Sequence, residues 1–376
     1  VKMELAREMV PAKLDEEQRT PRGHQANFSK DSLRHHVSWA VERGDASSLF
    51  EFLVSLGELD KTRSQSIVDP GLRVASVRGH AECVHLLLGF GANVDNTDEF
   101  GNTSLLLASE KGHSEVVELL LQNGAVCNRT DSSTRTALHW ASMNGHSKVV
   151  DALLEHGADP KQTDNIYGFT PLTLSARQGH SDIVRKLALW KDTLDAYDIH
   201  GETALFEAVR NNKLECVDVL IKAGANIDAV DNANRTPLLN AVLSSRPHMV
   251  IKFIRAGCNQ DIKGRITFFR KCDEFENIFS AFTAAIWGRE YKLTKLMYEA
   301  GCFIYDVPHE WIKNWDDSRE QEWLTYVMHR PRTLKERCRS YLRRVFGRNV
   351  DYAVNQLPIP TQIKNFLLLV NLEEFL

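Results

Sequence analysis

A period of 33 residues runs through most of this chain and limits what it can fold into. Gly-His recurs at Gly79-His80, Gly112-His113, Gly145-His146 and Gly179-His180, in steps of 33, 33 and 34. A Thr opening a Thr-x-Leu turn recurs at Thr103, Thr136, Thr170, Thr203 and Thr236, and Gly-Ala recurs at Gly91-Ala92, Gly124-Ala125, Gly157-Ala158 and Gly224-Ala225. Three marks in one register mean a repeated supersecondary unit, which overrides ordinary domain counting.

The best preserved copy reads Thr136-Ala137-Leu138-His139-Trp140-Ala141, then Gly145-His146, Val149-Val150, Leu153-Leu154 and Gly157-Ala158-Asp159. Thr is positioned to cap a first helix, and Pro171 and Pro237 follow their Thr at the first helical position, where a missing N–H costs nothing. Apolar residues then fall on one side, with Leu138 and Ala141 in the first helix and Val149, Val150, Leu153 and Leu154 in the second. Gly145 and Gly157 each follow a helical run, where glycine ends it in a left-handed conformation. One unit is therefore helix, Gly turn, helix, Gly turn. It cannot bury its apolar face alone, so neighbours must stack into a continuous core.

This pattern resembles the ankyrin repeat. Units are expected near residues 70–98, 103–131, 136–164, 170–198, 203–231 and 236–264, with degenerate ones at 35–66 and about 280–308, seven to eight in all. The step lengthens from 33 to 44 after Thr236, so residues 262–279 are expected to form an inserted loop, whose Phe268, Phe269, Phe275 and Phe279 argue that it packs. Departures are Lys191-Asp192 in place of Gly-Ala, Ser245 in place of the inter-helix Gly, and Pro70-Gly71 with no Thr. Glu207 and Asn240 stand where other copies carry Leu107, Trp140 or Leu174; they are read either as a polar patch or as repeat decay. Trp311, Trp315, Trp323 and Tyr326 are expected to close the array in a last helical pair.

A formal charge of −4 gives no electrostatic footprint for nucleic acid. The apolar run Phe366 to Val370 is far short of the roughly 20 residues that cross a bilayer, so no membrane span is expected. Residues 1–30 are charged throughout and read as a disordered leader, and the first residue is Val rather than Met. Seven scattered cysteines with no Cys-x-x-Cys pair fit reduced thiols, hence an intracellular chain, in the cytoplasm or the nucleus. No phosphate loop, nucleophile elbow or metal-binding helix motif appears, so no enzyme activity, cofactor or metal is expected. The Gly-His histidines come one per unit, too far apart to share an ion.

The end of the chain carries a second kind of pattern. Leu334, Cys338, Leu342 and Val345 form one apolar stripe on a helix otherwise covered by Lys335, Arg337, Arg339, Arg343 and Arg344. Leu357-Pro358-Ile359-Pro360 then breaks the chain before a further helix from Thr361. Read without a family, the stripe either caps the last unit or awaits a partner. The order Thr333, Leu334, Cys338, Leu342, followed by Leu357, Pro358, Ile359 and Pro360, resembles the SOCS box.

Together the two patterns resemble the ankyrin repeat and SOCS box family. The fold that follows is all-α: an ankyrin-repeat solenoid over residues 31–330 and a three-helix SOCS box over 331–370. The resemblance implies a non-catalytic substrate-recognition adaptor of a ubiquitin ligase. Thr333, Leu334, Cys338 and Leu342 would dock elongin C with its partner elongin B. Leu357, Pro358, Ile359 and Pro360 would help select cullin-5 with its RING partner. The solenoid would hold an unidentified target protein. Candidate target contacts are the tip residues Phe100, Asn102, Tyr167, Phe169 and His200, with Met143, Arg177 and Arg210 on the adjoining turns, since exposed aromatics and Arg are enriched in binding hot spots. The competing reading makes these aromatics a lock between tips, and the whole chain a plain scaffold with a structural cap.

Overall fold

The computed structural model describes residues 30–56, 61–270, 273–300 and 317–329, with 302, 307, 315, 361 and 364 as single positions. The residues expected to dock elongin C and cullin-5 lie outside the described residues, as does the leader apart from Lys30. Two compact units divide the chain, Val1–Ile166 and Tyr167–Leu376.

Among the described residues, the first unit holds four helix pairs. These are α1 (Lys30–Arg43) with α2 (Ala46–Leu56), α3 (Lys61–Arg78) with α4 (Ala81–Gly89), α5 (Ser104–Lys111) with α6 (Ser114–Gln122), and α7 (Ala137–Asn144) with α8 (Ser147–Glu155). Thr103 caps α5 by accepting from the Leu106 N–H at 3.3 Å. At the next unit Thr136 caps α7 in a box with His139, whose Nδ1 accepts from the Thr136 N–H. Gly112 and Gly145 end their helices with φ of 81°. At Gly112 a side chain is excluded twice over, because an added Cβ would also lie 2.4 Å from His146 Nδ1. Where the register offers Pro70 instead of a capping Thr, nothing ends the preceding helix, and α3 runs straight through the proline.

The second unit repeats the plan with α9 (Pro171–Gln178) and α10 (Ser181–Leu187), α12 (Ala204–Arg210) and α13 (Leu214–Ala223), and α14 (Pro237–Leu243) and α15 (Pro247–Arg255). Between α10 and α12, Lys191-Asp192 replaces the Gly-Ala turn, and a one-turn helix, α11 (Lys191–Leu194), forms there. After α15 comes β1 (Gly264–Arg270), paired antiparallel with β2 (Asp273–Phe279) in register Gly264↔Phe279. The stretch expected to be a loop is thus a hairpin: the β-branched and aromatic residues Ile266, Phe268, Phe269, Phe275 and Phe279 favour an extended backbone. Phe279 is fully buried and meets the Trp287 ring edge-on at 6.0 Å.

The last described elements are α16 (Ala281–Trp287), capped by Ser280, α17 (Tyr291–Glu299) and α18 (Ser318–His329). Trp323 of α18 sets its ring against Tyr291 and Tyr298 of α17, at 5.4 and 5.8 Å. The core of both units is one repeated stripe. Cys83, Val116 and Val149 in the first unit occupy the same register position as Ile183, Cys216, Met249 and Leu293 in the second, and all are buried. Burial accordingly pushes the Cys83 and Cys216 thiols up to about 11, which makes them core side chains rather than reactive ones.

Candidate functional site

Four repeats open with a tip built on an aspartate, at Asp98, Asp131, Asp198 and Asp231, and these tips show where this chain departs from its own rule. Asp98 Oδ1 accepts from the Phe100 and Asn102 N–H groups, at 2.9 and 2.8 Å, and Asp131 Oδ1 does the same for Ser133 and Arg135. The second carboxylate oxygen also finds a donor, Asn102 Nδ2 for Asp98 and Trp140 Nε1 for Asp131. Burial would raise the Asp98 pKa, but these hydrogen bonds outweigh it and hold the carboxylate below its usual range.

In the second unit Asp231 follows the rule, with Arg235 donating Nε to Oδ2 at 2.6 Å. Asp198 does not. Its Oδ1 accepts from the His200 and Glu202 N–H groups, both at 2.8 Å, but the residue four positions on, where Asn102, Arg135 and Arg235 offer donors, is Glu202. Asp198 Oδ2 and Glu202 Oε2 are both buried without a hydrogen-bond partner. Burial raises the Glu202 pKa, against the opposing pull of Arg210, and the negative Asp198, Glu207 and Asp231 push it the same way as burial.

Beneath this tip lies Glu207, 1% exposed on α12. Arg210 bridges the acidic pair: one guanidinium nitrogen donates to Glu207 Oε1 at 3.0 Å and the other to Glu202 Oε1. Asn211 Nδ2 donates to Glu207 Oε2 at 3.1 Å, and Arg177 Nε lies 3.7 Å from the same oxygen. Glu207, at the register position where other copies carry Leu107, Trp140 or Leu174, is therefore a charged hub. Asp198, Glu202 and Glu207 each bring an oxygen within 4.8 Å of the others, close enough for one cation by distance alone, yet Arg210 already occupies the space between two of them.

Above the hub the tips open into a cleft of about 440 Å³ lined by His200, Glu202, Arg210, Asp231, Arg235 and Arg265, among others. A ladder of backbone bonds aligns its walls: Asn232 N–H donates to the His200 carbonyl and Arg265 N–H to the Ala233 carbonyl, at 2.9 and 2.8 Å. Gly264 makes the second approach feasible, since a Cβ there would meet Arg235 Cα at 2.8 Å.

The sequence-predicted contacts fall into two groups. His200 and Arg210 come together in the cleft, with Arg177 reaching the same hub from α9. Phe100 is 66% exposed at its tip, and Tyr167 is exposed. Asn102 is tied to Asp98, and Met143 is half-buried at the end of α7. Phe169 is a correction: it is only 4% exposed, stacked on Tyr167 at 5.1 Å with the Arg177 guanidinium over its ring, so it braces its own tip and offers no surface. Arg235, Arg265 and Glu202 were missed. The signal for Glu202 was present in the sequence, as an acid where the other tips carry a donor.

Two of the Gly-His histidines are seen to bind backbone. His113 and His146 each place Nε2 2.9 Å from a carbonyl of the preceding repeat, Val77 and Glu110. At the same register position of the second unit, Arg246 reaches the Val209 and Arg210 carbonyls. Among the described residues, no helix is long and apolar enough to cross a membrane.

Comparison with known families places these features. A model of ankyrin repeats, three copies long, matches residues 37–131, 72–164, 127–199, 156–231 and 172–265, and a model of the SOCS box matches 330–368. Among solved structures, the crystal structure of the ankyrin repeat domain of Bcl-3, a unique member of the IkappaB protein family, is similar at 28% identity and a TM-score of 0.48, over 51% of this chain and 88% of that one. No curated protein sequence matches.

Proposed function

The chain belongs to the ankyrin repeat and SOCS box family, and from that premise we propose that it joins a target protein, held by its repeats, to elongin B/C and cullin-5. Ankyrin repeats ahead of a SOCS box support a substrate adaptor of a ubiquitin ligase, so the proposal concerns the finer assignments, a non-catalytic role among them. The observation that carries it is the order of residues near the chain's end. Thr333, Leu334, Cys338 and Leu342, then Leu357, Pro358, Ile359 and Pro360, fall within the matched 330–368 segment.

In this reading Leu334 enters an apolar pocket of elongin C, with Cys338 and Leu342 packing beside it. Burying one leucine contributes about 1.5–3 kcal/mol, and removing a central anchor costs about 2 kcal/mol or more. The prolines of the second motif shape the cullin-5 contact, because they fix the backbone and remove donors. The repeats offer the target their tips and adjoining turns, and the assembly works inside the cell, in the cytoplasm or the nucleus.

The test is co-purification. Leu334→Ala with Cys338→Ala should remove most elongin C, and cullin-5 with it, while Pro358→Ala with Pro360→Ala should reduce cullin-5 and leave elongin C bound. Normal recovery of elongin C by the first double variant would overturn the assignment and favour a plain scaffold.

A further inference from the structure

The charged cleft of the second unit has an owner in neither the fold nor the ligase-docking segment. Buried polar networks in a folded chain are normally fully satisfied. Here two carboxylate oxygens, on Asp198 and Glu202, have no partner, at the one aspartate tip where the expected donor is an acid. Departures of this kind, where a local rule is broken at a cost to stability, are expected at functional sites. What Glu202 does accomplish is to hold Arg210.

The cleft's charges are layered. The acids are deep, with Glu202 and Glu207 1% exposed and Asp231 6%. The bases are outermost: the Arg210 and Arg235 side chains are 47% and 34% exposed, and His200 and Arg265 are exposed. Each guanidinium is already anchored on one side, Arg210 by Glu202 and Glu207, Arg235 by Asp231, and Arg265 by the Asn232 carbonyl at 3.4 Å. A guanidinium has five N–H donors, so this anchoring leaves further donors on each. Arginines held by buried acids lose little rotamer freedom when they bind something else, which is the main cost of using long side chains at an interface.

We propose that this cleft receives an aspartate or glutamate side chain of the target protein, with Arg210, Arg235 and Arg265 donating to its carboxylate. The proposal rests on the target-binding reading above and names the chemistry of that contact. A carboxylate has the two acceptor oxygens that match a guanidinium fork. A lysine or arginine of the target would meet three guanidinium groups before reaching any acid. The volume of about 440 Å³ accepts one or two side chains.

The experiment uses the full chain and a labelled Gly-Ser peptide carrying four Glu, with its Gln and Lys counterparts, read by fluorescence polarisation. The Glu peptide should bind at least about tenfold tighter than either counterpart, and Arg235→Ala and Arg265→Ala should each weaken it by about tenfold. Glu202→Gln should weaken it less, because the Gln oxygen still accepts from Arg210. Lys222→Ala, an exposed cation on α13 outside the cleft, should change nothing. Thermal melts confirm that each variant is folded. Equal binding of the Gln or Lys peptide, or wild-type binding by Arg235→Ala with Arg265→Ala, overturns the proposal. If that double variant still holds the targets captured by the intact chain, the cleft assignment fails and the adaptor reading stands. If the intact chain holds no protein besides ligase subunits, the adaptor reading itself fails.

Discussion

The turn at Asp131 and the turn at Asp198 have the same backbone and opposite side-chain fates. In the first, Arg135 stands four residues on; its ring-stacked guanidinium lies over Trp140 and pairs with buried Asp164 at 3.2 Å. In the second, Glu202 stands there, and two carboxylate oxygens go without partners. The same contrast runs through the inter-helix turns. Those of Val1–Ile166 use glycine, with φ of 80°, 81° and 81° at Gly79, Gly112 and Gly145, whereas three in Tyr167–Leu376 use Asn212, Ser245 and Arg289 at φ of 58°, 50° and 58°. The second unit keeps the glycine turn at Gly179 and the satisfied tip at Asp231, so its departures are confined to particular turns rather than spread through the unit.

The comparison can be broken hardest at Gly112. Gly112→Val puts a β-branched residue at positive φ and against His146, and should cost about 3 kcal/mol in chemical denaturation. A loss below about 1 kcal/mol would show that the glycine turns are not the stabilising element. Next is Arg246→Ala, which removes two bonds to carbonyls of the preceding repeat and should cost about 2 kcal/mol, while the Lys213 repeat shows no such bond among its described contacts.

Glu202→Gln should go the other way, gaining about 1 kcal/mol at pH 7, because Gln supplies the missing donor to Asp198. Its pH dependence has a definite sign. Burial first, then the neighbouring acids, raise the folded pKa of Glu202 above 4.5, so the contribution of that group is full below pH 4.5 and is lost as pH rises through the raised value. Gln does not titrate, so the advantage of the variant should vanish in acid and grow toward neutrality; a gain independent of pH would mean that Glu202 is not strained. Smallest is Asn212→Gly, expected to add about 0.5 kcal/mol by relieving a left-handed residue, and a loss would show that the Asn side chain earns its place.

Much of the repeat could be read before any coordinates. Thr103, Thr170 and Thr236 cap as expected, and Pro171 and Pro237 occupy the first helical position, because caps and prolines act within four residues. The hairpin at Gly264–Phe279 was read as a loop, since it breaks the 33-residue register that made everything else visible and has Lys271-Cys272, not Asn-Gly, between its strands. The cleft was half legible. His200 and Arg210 could be named from turn position, but Arg235 and Arg265 are one and two repeats further along, and only the backbone ladder from His200 through Asn232 and Ala233 to Arg265 brings them to one place. Phe169 departs from expectation for a related reason: tip position predicts exposure, whereas its ring is covered by Tyr167 and Arg177, two residues before it and eight after it, in a turn whose curl a linear reading does not show.

Arg246 gives the hub an unexpected dependence. Its second guanidinium nitrogen donates to the Arg210 carbonyl at 2.8 Å, so the arginine that closes over Glu202 and Glu207 has its own main chain tethered from the following repeat. Hydrogen exchange at the end of α12 should therefore report on the health of α15's starting turn, and a lesion planted beside Pro247 would be felt as a slackened grip on whatever acid the adaptor holds.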